Sequence, residues 1–256
     1  MQNFETVFWS LLLVIVAPAL AVGGALLVRR AIGPEVLARH NEVAGFIYAV
    51  IGVVYAVLLG FTAIIVWESF REAQRGVELE ANSVVDLYRN AQVFPADVRG
   101  QIETELRDYA RLVIEDEWPQ MVAGKSSPQA WGAYEQLWRT YHEFKPQDDH
   151  QSIWYVESVR RLTLLGEQRR SRLLALNSRV PNIMWVVLLG TGALTVGFSF
   201  LFGTANARAH GLITAVLALT ICLVLLSIVA LEQPFAGISR IGPEAFEQAQ
   251  RIITPR

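Results

Sequence analysis

Four stretches of the chain are apolar enough and long enough to cross a bilayer: residues 5–28, 44–67, 183–203 and 209–231. A helix needs roughly 20 such residues to span about 30 Å of hydrocarbon. The first stretch carries Pro18, a predicted kink, and no basic residue ahead of its apolar run, so a retained helix is expected rather than a cleaved signal peptide. The short "TANAR" (204–208) between the last two predicts an antiparallel pair. Between the second and third stretches the pattern becomes amphipathic with helical period. The second helix is predicted to run on through "REAQRGVELEANSVVDLYRNA" towards Pro95. "PADVRGQIETELRDYARLVIEDE" puts Ile102, Leu106, Tyr109 and Val113 on one face. "SSPQAWGAYEQLWRTYHEF" has a serine cap, Pro128 in the first turn, and Trp131, Tyr134, Trp138 and Tyr141 on one side. A further helix over about 149–179, begun by Asp148 and Asp149, leads into the third stretch. No alternating strand pattern appears.

The predicted fold is therefore all-α: four transmembrane helices with a large helical insertion between the second and third. Residues 1–67 and 182–231 form the two transmembrane helix pairs, 68–181 the helical domain, and 232–256 a turn at "QPFAG" followed by a short amphipathic helix. That last helix, carrying Phe246 and Ile253, is expected on the membrane surface or on a neighbouring subunit.

The second stretch, "GFIYAVIGVVYAVLLGFTAIIVWESF" (45–70), sorts by face at 100° per residue. Tyr48, Tyr55, Thr62 and Ser69 form a polar stripe. Ala49, Gly52, Ala56, Gly60 and Ala63 form an adjacent stripe of small residues, the kind that lets helices approach closely in lipid. The remaining arc is apolar until Glu68. Leu59 and Val66 flank the polar stripe. Two readings stay open on periodicity alone: a packed bundle with a few interhelical hydrogen bonds, or a ring of these helices around a pore, with Leu59 and Val66 as apolar constrictions.

Composition removes several functions. The net charge is −2, so no field selects nucleic acid. The single cysteine, Cys222, forms no internal disulfide, and the four histidines (His40, His142, His150, His210) are scattered without metal spacing. No phosphate-binding, dinucleotide, zinc-protease or serine-hydrolase motif is present. "EDE" (115–117) and "DDH" (148–150) lack the spacing of a calcium loop and read as helix-end solvation. No ionisable residue lies deep in a span, which argues against an ion-coupled carrier. No cofactor, no metal and no catalysis are expected. Orientation follows the arginines. Residues 160–179 hold six arginines against one acid, and Arg71 and Arg75 follow the second span; the other side has Arg29, Arg30, Arg39 and Arg208. Trp9, Trp67 and Trp185 fall at one interface. Both termini and residues 68–181 are thus expected in the cytoplasm. The arginine run reads as ordinary decoration of that side, some of it available to pair with Glu115–Glu117, Glu68 or Glu72.

The motifs in order are "GFIYAVIGVVYAVLLGFTAIIVWESFREA", "GVELEANSVVDLYR", "VIEDEWPQM", "RRSRLLALNSRVPNIMWVVLLGTGALTVGFSFLFG" and "ALEQPFAGISRIGPEAF". Together, over residues 40–253, they resemble the bacterial bestrophin-like membrane domain family, itself distantly similar to bestrophin ion channels. Bestrophins are homopentamers whose second span lines the pore with an apolar neck, which by position falls on residues 48–69. Eukaryotic bestrophins conduct anions under calcium control through an acidic run after the fourth span; "EQPFAGISRIGPEAFEQ" has no such run. A bacterial relative favours cations, so the preferred ion does not transfer. The resemblance implies an oligomeric ion channel, pentameric by analogy, in a bacterial inner membrane, with lipids and inorganic ions as partners. Tyr48, Tyr55, Leu59, Thr62, Val66 and Ser69 are the expected pore lining. Glu68, Arg71, Glu72 and Arg75 are expected at its cytoplasmic mouth, and the small-residue stripe at helix contacts. The competing reading is a non-conducting scaffold or stress-response membrane protein.

Overall fold

A computed structural model describes residues 2–236 and 239–254, with side chains from residue 12 onward. Trp9 and Gly237, expected in the aromatic belt and in the turn after the fourth span, lie outside the described side chains. Every regular element among the described residues is helical: α1 (Gln2–Ile32), α2 (Pro34–Ala38), α3 (Asn41–Asn90), α4 (Ala96–Leu112), α5 (Trp118–Val122), α6 (Pro128–Glu143), α7 (Asp149–Ala175), α8 (Asn182–Ser199), α9 (Ala207–Glu232) and α10 (Glu244–Ile253). One turn of π-helix, Val113–Glu117, joins α4 to α5. Four helices are long and apolar enough to cross a membrane: α1 from Leu12, α3, α8 and α9. The chain divides into two compact units. One holds Met1–Glu68 and Arg179–Glu232; the other holds Ser69–Ser178 and Gln233–Arg256.

In the first unit α9 packs chiefly along α1. The Arg29 guanidinium donates to the carbonyls of Thr204 (2.5 Å) and Ala205 (3.3 Å) in the α8–α9 connection. Asn41 brackets the same connection, its amide donating to Gly203 O at 2.7 Å and its oxygen accepting from Gly203 N at 3.0 Å. Gly203 is obligatory there, because a Cβ would run into the backbone of Ala38 and Pro34. The Tyr48 ring stacks on Phe198 at 5.9 Å and meets Phe202 edge-on at 5.4 Å. At the far end of α9, Glu232 Oε1 accepts from Val180 N (2.8 Å) and from the Trp185 indole (3.3 Å), satisfying donors where α8 begins.

The second unit has a conventional core. Leu87 from α3, Ile102, Leu106 and Tyr109 from α4, Leu137 and Tyr141 from α6, Leu162 and Leu165 from α7, and Phe246 and Ile253 from α10 are all fully buried. The face predicted for α4 is the buried one. On α6 only half the aromatic side is: Tyr134 and Tyr141 are buried, Trp138 is half-buried and Trp131 is exposed. Ser127 caps α6, its Oγ accepting from Ala130 N at 3.0 Å, and Asp148 caps α7, accepting from Gln151 N at 2.7 Å. The amphipathic α10 does not offer its apolar face outward. Phe246, Ala249 and Ile253 close the core of this unit, and Arg107 Nε ties down the Ile253 carbonyl at 2.9 Å. An apolar stripe on a short helix reveals that a partner exists, and here the partner is the same chain.

Candidate functional site

The apolar part of α3, up to Glu68, shows a buried face and a bare face within its unit. Tyr55, Leu59, Thr62 and Val66 are buried, packed with Leu188 of α8 and Ile228 of α9. Tyr48 is half-buried. Within this unit the polar stripe is therefore a packing face at Tyr55, Leu59, Thr62 and Val66. The Thr62 hydroxyl needs no water. Thr62 Oγ1 donates to its own helix at Leu58 O, 2.9 Å, as Thr195, Ser199, Thr220 and Ser227 do in α8 and α9. This i−3/i−4 back-bonding lets a hydroxyl sit in an apolar bundle. Tyr55 cannot reach its own backbone; its Oη is buried without a partner and sits over Gly192, where a Cβ would lie 2.7 Å away.

The small-residue stripe lies on the side of α3 that its own chain leaves open. Ala49, Ala56 and Gly60 are exposed and Gly52 and Ala63 half-exposed, and a Cβ on Gly52 or Gly60 would meet nothing within 4 Å. The close approaches in this unit fall on other glycines: Gly192 under Tyr55, and Gly24 under the Phe200 ring at 2.7 Å. The bare face of α3 is centred on Phe46, Val50, Val53, Val57 and Ile64, which are spaced by three, four or seven residues and are 52–75% exposed. Beyond it Glu68 is exposed too. In the second unit Arg71, Glu72 and Arg75 are exposed, and Ser69 is half-buried. None of Glu68, Arg71, Glu72 and Arg75 makes an ion pair among the described residues.

The second unit holds a charge cluster that the arginine count only hinted at. Glu80 of α3, Glu117 of the π-turn, and Arg169 and Arg172 of α7 are buried, none more than 1% exposed. Arg172 donates to both Glu80 oxygens (2.7 and 2.9 Å) and to Glu117 Oε2 (2.7 Å). Arg169 pairs with Glu117 Oε1, which also accepts from Ser127 N at 3.2 Å. Tyr109 donates to Glu80 Oε1 at 2.5 Å. Two carboxylates against two guanidiniums leave no net buried charge, the condition for keeping them out of water. Arg172 also lies 5.2 Å from the Trp118 ring centre and 5.8 Å from that of Phe246. Burial alone would lower the Arg172 pKa, but the Glu80 and Glu117 carboxylates more than offset it and hold the guanidinium above its ordinary value. The Tyr109 phenol is pushed well above its ordinary value, first by burial and then by the Glu80 charge, against the opposing pull of Arg172 and Arg169. The π-turn continues the buried face of α4, with Glu117 four residues beyond Val113 as Ala110 lies four beyond Leu106. Of the "EDE" run, Glu117 is the member turned inward. Glu115 stays exposed near Arg111, 3.6 Å away, and Asp116 accepts from Gln120 at 2.9 Å. No group of three or more metal-capable side chains occurs among the described residues.

Long apolar helices together with a helical unit closed by a buried ion cluster define an all-helical membrane protein. The profile of the bestrophin-like domain matches residues 15–246, and the chain belongs to that family. Its fold is similar to that of a single-site variant of a bacterial bestrophin homologue from Klebsiella pneumoniae. The TM-score is 0.70 at 16% identity, covering 94% of this chain and 97% of that one. The same homologue phased with zinc gives a TM-score of 0.67 at 16% identity, over 93% and 96% of the two chains. A crystal structure described as a membrane protein variant gives 0.68 at 16% identity, over 94% and 97%. At that identity the likeness is one of fold. A comparison with curated proteins found no match.

Proposed function

We propose that the chain is the subunit of a homo-oligomeric ion channel of the bestrophin type, with the bare face of α3 lining the path. The four long helices would cross a bacterial inner membrane, with both termini and residues 68–181 in the cytoplasm. The observation that carries this reading is the division of α3. One face is filled by its own chain. The other is apolar from Phe46 to Ile64 and then charged, and its own chain leaves it uncovered. Copies arranged around an axis would turn Val53, Val57 and Ile64 into stacked apolar rings that pass ions only when wetted. They take over the narrowing role expected of Leu59 and Val66. Glu68, Arg71 and Arg75 would follow as a mouth of mixed sign, and the uncovered Ala49, Ala56 and Gly60 would let neighbouring copies of α3 approach closely.

The test is single-channel recording from the purified oligomer in planar bilayers. Val57→Thr and Ile64→Ala are expected to raise conductance or open probability, whereas Thr62→Ala leaves both unchanged. No current from a verified oligomer, or a response to Thr62→Ala in place of the two bare-face variants, overturns the proposal.

A further inference from the structure

The second unit contains an open cavity of about 440 Å³ between α3 and α7. Its walls are set by small residues, Ala73, Gly76 and Ala175, which leave the two helices apart. Its polar lining is Ser69 and Glu72 on α3, and Gln168, Ser171 and Ser178 on and just after α7. None of these five side chains is hydrogen-bonded among the described residues, a contrast with the helical hydroxyls nearby. Ser83 and Thr163 each bond back to the carbonyl four residues earlier, at 2.9 and 3.0 Å. Arg172 reaches the floor, but four of its five N–H donors go to Glu80, Glu117 and the Met121 sulfur, and its charge is balanced inside the cluster. The free charge in the cavity is therefore the Glu72 carboxylate, with hydroxyls and an amide around it.

That chemistry selects a cation carrying further hydrogen-bonding oxygens. The space is too long for one bare ion. From Ser69 to Gly76 the α3 wall rises about 10 Å at 1.5 Å per residue, so its oxygens cannot close around a single metal. The volume falls in the range of small-molecule sites, about 300–1,000 Å³. We propose that this cavity binds a phosphoethanolamine group, with its ammonium on Glu72 and its phosphate oxygens accepting from the serine hydroxyls and the Gln168 amide. The group has two sources, the headgroup of a zwitterionic phospholipid or a free soluble compound. The lipid source rests on the proposed membrane topology, in which Ser69 directly follows the second span and Ser178 shortly precedes the third.

Native mass spectrometry of the detergent-solubilised full-length protein tests this without any current measurement, so a failed site and a failed channel are told apart. Phosphatidylethanolamine, phosphatidylglycerol and free phosphoethanolamine are the three probes. Retention of phosphatidylethanolamine over phosphatidylglycerol is expected, and Glu72→Gln should weaken it by about tenfold or more, the loss typical of a charge-assisted hydrogen bond. Arg75→Gln, an exposed neighbour outside the lining, should leave it unchanged. Gly76→Leu, which fills the cavity, should abolish it. Glu72 is exposed, so its variant keeps the fold and remains a fair test where Gly76→Leu does not. Competition by free phosphoethanolamine at equal concentration assigns the soluble source; its absence assigns the lipid. Equal retention of the two lipids with no binding of the free compound, or a Glu72→Gln variant that binds like the parent, overturns the proposal.

Discussion

Replacing Arg172 by Met tests whether the buried cluster holds the second unit together. Methionine keeps most of the apolar length that packs against Trp118 and Phe246 but removes the charge. Glu80 would then keep only the Tyr109 hydroxyl, and Glu117 only Arg169 and the Ser127 amide. Two buried carboxylates would be left with one guanidinium. Breaking one partner out of a buried pair costs about 3–5 kcal/mol. At roughly 2–4 °C per kcal/mol for a chain of this size, the melting transition should fall by roughly 6–20 °C. Tryptophan fluorescence during thermal unfolding reads it directly, since Trp118 lies against the cluster. Arg170→Met, on the exposed side of the same helix, is the control. Adding Glu80→Gln to Arg172→Met restores charge balance and should recover part of the loss. Equal transitions for Arg172→Met and Arg170→Met, or no recovery in the double variant, would refute the reasoning.

Glycine packing gives a second check: Gly203→Ala should markedly destabilise the first unit, because its Cβ meets backbone that cannot yield, while Gly190→Ala, facing open space, should be neutral in the same melt. Gly192→Ala should lower stability by about 1–3 kcal/mol through overpacking against Tyr55, and Tyr55→Phe in the same chain should restore part of it by removing the hydroxyl in the way. Alkaline pH should destabilise the second unit. Burial holds the Tyr109 and Tyr141 phenols above their ordinary value, so their contribution is complete below about pH 10 and is lost as pH rises from there towards their folded-state values. Unfolding midpoints should hold level from pH 8 to about pH 10 and fall from there to pH 11, and Tyr141→Phe should flatten that fall.

The sequence by itself determined the helices and most of their ends. Runs such as Ala49–Val66 exceed what a soluble core needs, and serine, aspartate and proline at 127, 148 and 128 mark helix starts by local chemistry. It also determined the family, through motifs spread over most of the chain. What it did not determine is which side of a membrane helix its own chain covers. In lipid, polarity no longer separates inside from outside: Thr62 satisfies itself on its own backbone and packs inward, while Val53 and Ile64 stay bare. Periodicity finds the stripes on α3 but is silent on their partners. The charge cluster was illegible for a related reason. Glu80, Glu117 and Arg172 are far apart in the chain, and no local pattern pairs them. Covalent spacing sets local form, whereas the burial of a face or a charge is fixed by the elements that fold against it, and that only the tertiary structure decided.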